Sequence, residues 1–309
     1  MSKILSGNGV SFPPDAKSKK KGLQSAGGSA DIIARLIAQR LSEELKVPVL
    51  VENRAGAGSA IGSNYVSKAK PDGYTILLLS GAYSAQAALT KTPLFDPLKD
   101  ITMVSLITTY PFLMAVHPSA PYQNLQELIA YAKANPGKLS FGSPGNGSSP
   151  HLAAEMMKAQ SNTFAVHVPY RGAAPAMQDL LAGQIDFMFD PGIGLQHVRS
   201  GKLKMLAVGS PKRSPLFPDV PTFTEAGVPG FESTIWHGVL APAKVPREVV
   251  ARINREVVKA LKMPDVIDRL ATQGGNDLVG NTPEEFAQVI KDDLALYAKI
   301  IRAAGIKPQ

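Results

Sequence analysis

Hydrophobic positions recur with two different periods along most of this chain. Ile33, Ile37, Leu41 and Leu45 are spaced by four residues, which indicates a helix with one face packed on a core. The apolar stretch 47–51 comes next and is short enough to be a buried strand. Short apolar strands that alternate with helices of about ten to fifteen residues predict βαβ units and a parallel sheet.

This alternation continues after a Pro-Asp-Gly turn at 71–73. The predicted elements are strand 75–79, helix 123–133, strand 139–142, helix 151–160, strand 165–168, helix 174–183 and strands 186–189 and 205–208. Two long extended stretches, 103–116 and 234–240, flank the later units. A chain that leaves one lobe, builds a second lobe and returns needs two such crossings.

The sequence therefore predicts an α/β protein with two lobes joined by two hinge strands. The first lobe comprises 27–105 and 231–309, and the second comprises 106–230. Residues 1–26 form a separate N-terminal segment of atypical composition.

Charge changes this picture only near the N-terminus. The chain carries a net charge of +8, and residues 1–23 hold five lysines against Asp15, so half of the excess lies there. Aromatic residues make up 6% of the chain and do not interleave with the basic ones, which argues against a nucleic-acid partner.

No apolar run approaches the ~20 residues of a transmembrane helix. Cysteine is absent, which excludes disulfides and thiol catalysis.

Small-residue loops between strands and helices carry the candidate chemistry. The loops at 142–151 and 168–176 each precede a predicted helix. Such loops leave backbone N–H groups open at the helix N-terminus, where the helix dipole favours an anion. No nucleophile elbow is present, and the five histidines have no helical metal-ligand spacing. The sequence predicts a receptor for a small anion, with no catalytic residue, no metal and no cofactor.

One alternative comes from a different class of protein. Gly56, Gly58 and Gly62 follow strand 47–51 and approach the G-x-G-x-x-G pattern of dinucleotide sites, but the third glycine is one position late. A nucleotide-dependent α/β enzyme using this loop is the competing hypothesis.

Four sequence words occur in order: VENRAGAG at 51–58, PDGYT at 71–75, GNGSSPH at 145–151 and VPYRGAAP at 168–175. They resemble the periplasmic solute-binding proteins of tripartite tricarboxylate transporters, the Bug family, from about residue 27 to the C-terminus. The resemblance implies a type II periplasmic-binding-protein fold and a periplasmic, monomeric receptor. Such a receptor captures a small carboxylate in a cleft between its lobes and delivers it to the membrane permease subunits.

The resemblance also implies which residues bind the carboxylate. The first group is Gly28, Ser29, Ala30 and Asp31, and the second is Tyr170, Gly172, Ala173 and Ala174. Family members bind the ligand mainly through the main chain, so Arg171 is expected to contribute little. The alternative for the first group is ordinary helix capping by Ser29, with Asp31 in the first turn.

Further candidates follow from the position of polar residues after strands. Ser143, Asn146, Gly147, Ser148 and His151 lie in one loop and suit the variable end of a ligand. Ser80 and Tyr83 follow strand 75–79. Asp190 ends strand 186–189, where it fits either an amino or hydroxyl group of the ligand or a cap on the next turn.

The N-terminus departs from the family pattern. Residues 1–26 contain no apolar segment of the kind found in signal peptides, so no secretion signal is visible. The stretch 10–14 echoes the end of the expected first strand, but residues 15–26 separate it from Gly27. An insertion, a replaced N-terminus or a frameshift would each explain this, and a ligand-incompetent remnant of the family remains a third hypothesis.

Overall fold

The structure is a computed structural model that describes residues 2–6, 29–53, 60–91 and 94–303, and of Ser2–Ser6 it describes the backbone alone. These residues form two units. The first contains the described residues up to Thr109 together with Trp236–Leu296. The second contains Tyr110–Ile235 and the described residues from Tyr297 onward.

Helices and strands alternate through most of the chain. In chain order the elements are β1 (Ser2–Ser6), α1 (Ser29–Leu45), β2 (Val49–Asn53), α2 (Ala60–Ser67), β3 (Thr75–Ser80), α3 (Ala82–Leu89), β4 (Ile101–Pro111), β5 (Leu113–Val116), α4 (Leu125–Ala134), β6 (Ser140–Ser143), α5 (Ser149–Ser161), β7 (Val166–Pro169), α6 (Ala173–Leu181), β8 (Phe187–Asp190), α7 (Leu195–Arg199), β9 (Lys204–Val208), β10 (Thr234–Pro242), α8 (Arg247–Leu261), α9 (Pro264–Ile267), a π-helical turn (Asp268–Thr272), β11 (Asp277–Leu278) and α10 (Pro283–Ala303). Every strand predicted from the sequence is present, with ends shifted by one or two residues.

The first unit is built on a mixed sheet with the strand order β11-β4-β10-β3-β1-β2. Strand β1 is parallel to both β2 and β3, whereas β10 is antiparallel to β3. No strand was predicted within the first 26 residues, so β1 adds to the predicted elements. Strand β1 has five residues and no alternating pattern, so its place is fixed by pairing with two neighbours rather than by a local signal.

Both faces of this sheet are covered, as expected for parallel strands. Ile33, Ile37 and Leu41 of α1 are buried in the same cluster as Leu78 of β3, which confirms the predicted helix face. The neighbouring β3 residues Leu77 and Leu79 belong to a second cluster on the opposite face. Because successive side chains of a strand point to opposite faces, β3 connects two separate cores.

The second unit is built on a sheet with the strand order β7-β6-β8-β5-β9. Strand β6 is parallel to β7 and β8, and β5 is antiparallel to β8 and β9. Since β6, β7 and β8 are parallel, their carboxyl ends at Ser143, Pro169 and Asp190 lie at one edge of the sheet. This topology brings three of the candidate loops to the same edge.

The chain crosses from one unit to the other within β4, β10 and α10, after Thr109, before Trp236 and after Leu296. The first two crossings lie in the extended stretches singled out in the sequence. The domain prediction gave all of 231–309 to the first lobe, whereas the structure groups the last turns of α10 with the second unit. No helix in the described part of the chain is long and apolar enough to cross a membrane.

Candidate functional site

The N-terminus of α6 leaves backbone donors open in the second unit. Gly172 precedes the helix with φ 129° and ψ 168°, and none of the side chains that the structure describes caps the first turn. The N–H groups of Ala173 and Ala174 therefore lack the intrahelical acceptors that later residues have. A Cβ atom on Gly172 would meet only Pro175 Cδ, at 3.9 Å, so the space beside this backbone is open within the described residues.

The side chains of Tyr170 and Arg171, next to this helix end, do not bond to its open N–H groups. The Tyr170 hydroxyl donates its proton to Asp179 Oδ2 at 2.6 Å, so this proton is already used in a hydrogen bond inside the second unit. Burial, with a further contribution from that bond, raises the pKa of Tyr170 to about 12. Arg171 is exposed. The open groups at this position are thus those of the main chain, in line with the sequence-based expectation.

Two imidazoles hold the loop between β6 and α5: His151, which is buried, and His167, which is half-buried. Ser143 Oγ lies 2.6 Å from His167 Nε2 and also accepts from the N–H of Gly145. The Gly147 N–H donates to His151 Nδ1 at 3.0 Å. His151 and His167 stack with ring centroids 3.9 Å apart, and Phe141 continues the stack. These contacts determine the path of the loop that carries the candidates Asn146, Gly147 and Ser148.

Both rings are neutral at physiological pH. Burial is the main cause that lowers the pKa of His151 and of His167 to about 4. A neutral His151 accepts at Nδ1, as the Gly147 N–H requires, and so carries its proton on Nε2, which lies 3.8 Å from Glu155 Oε1. His151 therefore stabilises the loop through its contact with Gly147, and its ring is buried away from a ligand. Ser148 caps α5 by accepting from the His151 N–H, and Asn146 is the exposed member of the loop.

Asp190 closes the turn that follows β8. Its carboxylate accepts from the N–H groups of Ile193 at 3.1 Å and Gly194 at 3.0 Å. Asp190 is 1% exposed, and this burial raises the pKa of its carboxyl to about 6 although the N–H donors act in the opposite direction. Of the two roles expected for Asp190, the contacts in the structure are those of a cap.

In the first unit, Ser29 and Asp31 begin α1. The Asp31 carboxylate is buried and accepts from Asn53 Nδ2 at 3.0 Å and from Arg35 Nε at 3.1 Å. Ser29 Oγ lies 3.0 Å from His237 Nε2. Ala30 is half-buried between them, and Gly28 lies outside the described residues. Asp31 thus ties α1 to β2, while Ser29 is oriented by a histidine of β10.

Ser80 and Tyr83 follow β3, but their environments differ. Ser80 is partly exposed at the end of the strand. Tyr83 is 2% exposed, stacks on Phe95 and donates its hydroxyl to the Pro97 carbonyl at 2.7 Å. Burial raises the pKa of the Tyr83 hydroxyl beyond the range in which it titrates in a folded protein. Tyr83 therefore has a packing role, and we do not retain it in the proposed site.

This placement of Tyr83 can be tested by removing its hydroxyl. We expect Tyr83→Phe to lower the free energy of unfolding by about 1 kcal/mol, the usual contribution of one hydrogen bond, and to leave ligand affinity unchanged. Urea unfolding and calorimetric titration measure the two effects. A loss of affinity with unchanged stability would return Tyr83 to the binding site.

Two further sequence-based expectations concern other chemistry. Gly56 and Gly58 of the competing dinucleotide hypothesis lie outside the described residues, and Gly62 lies within α2. Among the residues that the structure describes, no three His, Asp or Glu side chains are grouped so that they would hold a metal ion.

Sequence reasoning missed the histidines that support the candidate loops. The sequence suggested His151 only as a ligand contact, and it brought in His167 and His237 only as residues without metal-ligand spacing. The available signal was a polar residue within an otherwise apolar strand, as in Ile235-Trp236-His237-Gly238-Val239. A polar side chain removed from water needs a partner, and each of the three histidines has one at or next to a candidate binding residue: Ser29, Ser143 or Gly147.

Comparison with known proteins identifies the family. The model of the tripartite tricarboxylate transporter family receptor matches residues 33–306. BugT of Bordetella pertussis (strain Tohama I) is 35% identical over 302 residues, which cover 96% of this chain and 88% of BugT.

Solved structures agree with this match. Rpa4515 of R. palustris with adipate has 31% identity and a TM-score of 0.87, covering 100% of this chain and 98% of that one. MatC of Rhodopseudomonas palustris with bound malate has 30% identity and a TM-score of 0.84, covering 97% and 98%. The resemblance seen in the four sequence words is confirmed, and so is the two-lobed, type II periplasmic-binding-protein fold. The chain belongs to the family of tripartite tricarboxylate transporter receptors, which are periplasmic solute-binding proteins and not an enzyme family.

Proposed function

We propose that this protein is a non-enzymatic receptor for a small dicarboxylate. It acts in the periplasm as a monomer and passes the ligand to the permease subunits of a tripartite transporter. The observation that carries this proposal is the open first turn of α6, where Gly172 exposes the N–H groups of Ala173 and Ala174 without a side-chain cap. Backbone N–H groups at a helix N-terminus are a ready site for a carboxylate.

The surroundings of α6 favour an anion held by the main chain. Ser143 at the end of β6 and Pro169 at the end of β7 lie at the same sheet edge, and both loops are built from small residues. Asp190, the acidic residue at that edge, is buried and bonded to its own turn. The donors that remain accessible at this edge are therefore suited to a negatively charged group.

The relatives support the ligand class. Adipate and malate, bound by Rpa4515 and MatC, are both dicarboxylates of different length. A receptor that holds one carboxylate by a helix end accepts ligands of several lengths if the distal contacts vary. Asn146 and Ser148, an amide and a hydroxyl in the β6–α5 loop, are the residues we assign to the distal end.

A thermal-shift screen tests the proposal. Because a ligand that binds only the folded state stabilises it, we expect the best dicarboxylate at a hundred times its Kd to raise the Tm by about 5 °C or more. The screen compares adipate, malate, succinate and citrate with adipamide, a neutral analogue of adipate. NAD and ATP serve as controls for the competing enzyme hypothesis.

The outcomes separate the hypotheses. Stabilisation by a dicarboxylate but not by its diamide supports recognition of the anion. A cooperative unfolding transition whose Tm no carboxylate changes would contradict the receptor hypothesis. It would favour a family member that has lost the ability to bind a ligand. A shift with NAD or ATP alone would favour the enzyme.

A further inference from the structure

His237 connects three elements of the first unit through both nitrogens of its ring. Nε2 lies 3.0 Å from Ser29 Oγ at the start of α1, and Nδ1 lies 3.0 Å from Thr108 Oγ1 in β4. His237 is 1% exposed and Thr108 is fully buried. A buried imidazole with a hydroxyl at each nitrogen does more than fill space, because each of its two hydrogen bonds requires one donor and one acceptor.

The ring at this position is neutral. Burial lowers the pKa of His237 to about 4, and no ionised side chain in the described part of the chain opposes the effect. A neutral imidazole has one N–H donor and one acceptor nitrogen. Only two arrangements are then consistent with the contacts: the proton is on Nε2, facing Ser29, or on Nδ1, facing Thr108.

The burial of Thr108 decides between them. Within the described residues, His237 Nδ1 is the hydrogen-bond partner of Thr108 Oγ1. If Nδ1 carried the proton, the Thr108 hydroxyl would accept it and its own buried proton would have no acceptor, at a cost of about 1–3 kcal/mol. If Thr108 donates to Nδ1 instead, every group is satisfied and the ring proton is on Nε2.

This tautomer determines the direction of the Ser29 hydroxyl. We infer that His237 is a positioning residue: it donates Nε2–H to Ser29 Oγ and so leaves the Ser29 hydroxyl proton free for the carboxylate of the ligand. The inference rests on the proposed function. Thr108, His237 and Ser29 then form a chain in which each group donates to the next, and a carboxylate is the natural final acceptor.

The opposite direction would work against an anion. With the proton on Nδ1, Ser29 would donate to the ring and present its lone pairs to the ligand. A carboxylate only accepts hydrogen bonds, so this arrangement would repel it, whereas a hydrogen bond to a charged group is among the stronger ones. The position of the His237 ring proton thus makes Ser29, at the start of α1, favour a ligand group that accepts a hydrogen bond.

The tautomer can be measured directly in the ligand-free full chain. Long-range proton–nitrogen correlation NMR of the ¹⁵N-labelled protein at neutral pH distinguishes protonated from unprotonated ring nitrogens. We expect His237 to show a protonated Nε2 and an unprotonated Nδ1. A protonated Nδ1, or a doubly protonated ring, overturns the inference without reference to any ligand.

Two matched variants test the effect on binding. In His237→Gln the side-chain amide reaches the position of Nε2 and can donate to Ser29. In His237→Asn it reaches only the position of Nδ1 and keeps the contact with Thr108. Both place an amide of similar polarity in the same buried space. With adipate and malate as probes in calorimetric titration, we expect the Kd to rise about tenfold or more in His237→Asn and by about threefold or less in His237→Gln.

The partner variant completes the test. Ser29→Ala should weaken binding as much as His237→Asn, and the double variant should be no weaker than either single one, because both changes remove the same contact. Equal weakening by His237→Gln and His237→Asn overturns the inference and leaves the proposed function intact. A wild type that binds no dicarboxylate overturns the proposed function and the ligand role of His237 together, whatever the variants do.

Discussion

Replacing Gly172 with valine is expected to raise the Kd for the best dicarboxylate about a hundredfold or more. Gly172 has φ 129° and ψ 168°, a region that is essentially restricted to glycine and costs other residues about 1–3 kcal/mol. A β-branched residue would force the loop into another path, and the N–H groups of Ala173 and Ala174 would no longer converge. Two charge-assisted hydrogen bonds to the carboxylate would be lost with them.

Two controls separate this effect from general damage and from charge. Gly183 lies beyond the opposite end of α6 with φ 70° and open space around it, so Gly183→Val introduces comparable strain away from the sheet edge. We expect it to lower stability but to leave the Kd within about threefold. Arg171→Ala removes an exposed charge and should cost less than about 1 kcal/mol of binding energy.

Calorimetric titration of the three variants decides how the anion is held. If Arg171→Ala abolishes binding while Gly172→Val is tolerated, the carboxylate is bound by a guanidinium group and the main-chain mechanism fails. If Gly172→Val and Gly183→Val weaken binding equally, the effect belongs to the stability of the second unit.

Local sequence patterns were sufficient to predict helices and strands where the period of the hydrophobic residues matches the buried face of the element. The spacing of Ile33, Ile37 and Leu41 predicted the buried face of α1, and the apolar stretches predicted the strands. The parallel sheet predicted from the alternation of strands and helices is also the arrangement that brings the loops after β6, β7 and β8 to one edge, because carboxyl ends of parallel strands share an edge. These conclusions need no knowledge of distant contacts.

The remainder depends on contacts that no local pattern encodes. His151 and His167 lie on different elements, and they stack because α5 packs on β6 and β8 while β7 pairs with β6. Tyr83 follows a strand in the manner of a ligand contact, but Phe95 and Pro97 cover it. The pairing of β1 is likewise fixed by its neighbours in the sheet. Side-chain roles of this kind become visible only when the partners are known.

Lowering the pH from 7 to 4 is expected to destabilise the protein by about 4 kcal/mol, because three buried or half-buried histidines take up protons on unfolding. Burial lowers the pKa of His151, His167 and His237 to about 4, against 6.5 for an unperturbed ring. Between these values the unfolded chain binds the three protons and the folded chain does not, so stability falls as the pH drops. Glu155 and Lys158 face the His151–His167 pair and shift its pKa in opposite directions.

Two buried carboxyls act in the opposite sense. Burial raises the pKa of Asp190, and of Asp293 beside the Trp236 indole, to about 6. Near pH 5 the folded chain keeps these protons while the unfolded chain has lost them, so each of the two favours folding as the pH drops. The lowered pKa of Asp96, Glu225 and Glu285 acts in the same sense as the histidines, mainly below pH 5, where the unfolded chain takes up these protons first.

Three histidines against two carboxyls leave a net uptake of about one proton on unfolding near pH 5. Urea unfolding at closely spaced pH values measures this uptake as the slope of the unfolding free energy, about 1.4 kcal/mol per pH unit for one proton. His237→Gln removes a histidine and should bring the slope close to zero, whereas Asp190→Asn removes an opposing carboxyl and should roughly double it. These two variants change the slope in opposite directions although both disturb buried polar groups, so a merely structural effect cannot imitate the pattern. A slope that is unchanged in both variants would mean that the rings and the carboxyl are solvated in the folded protein.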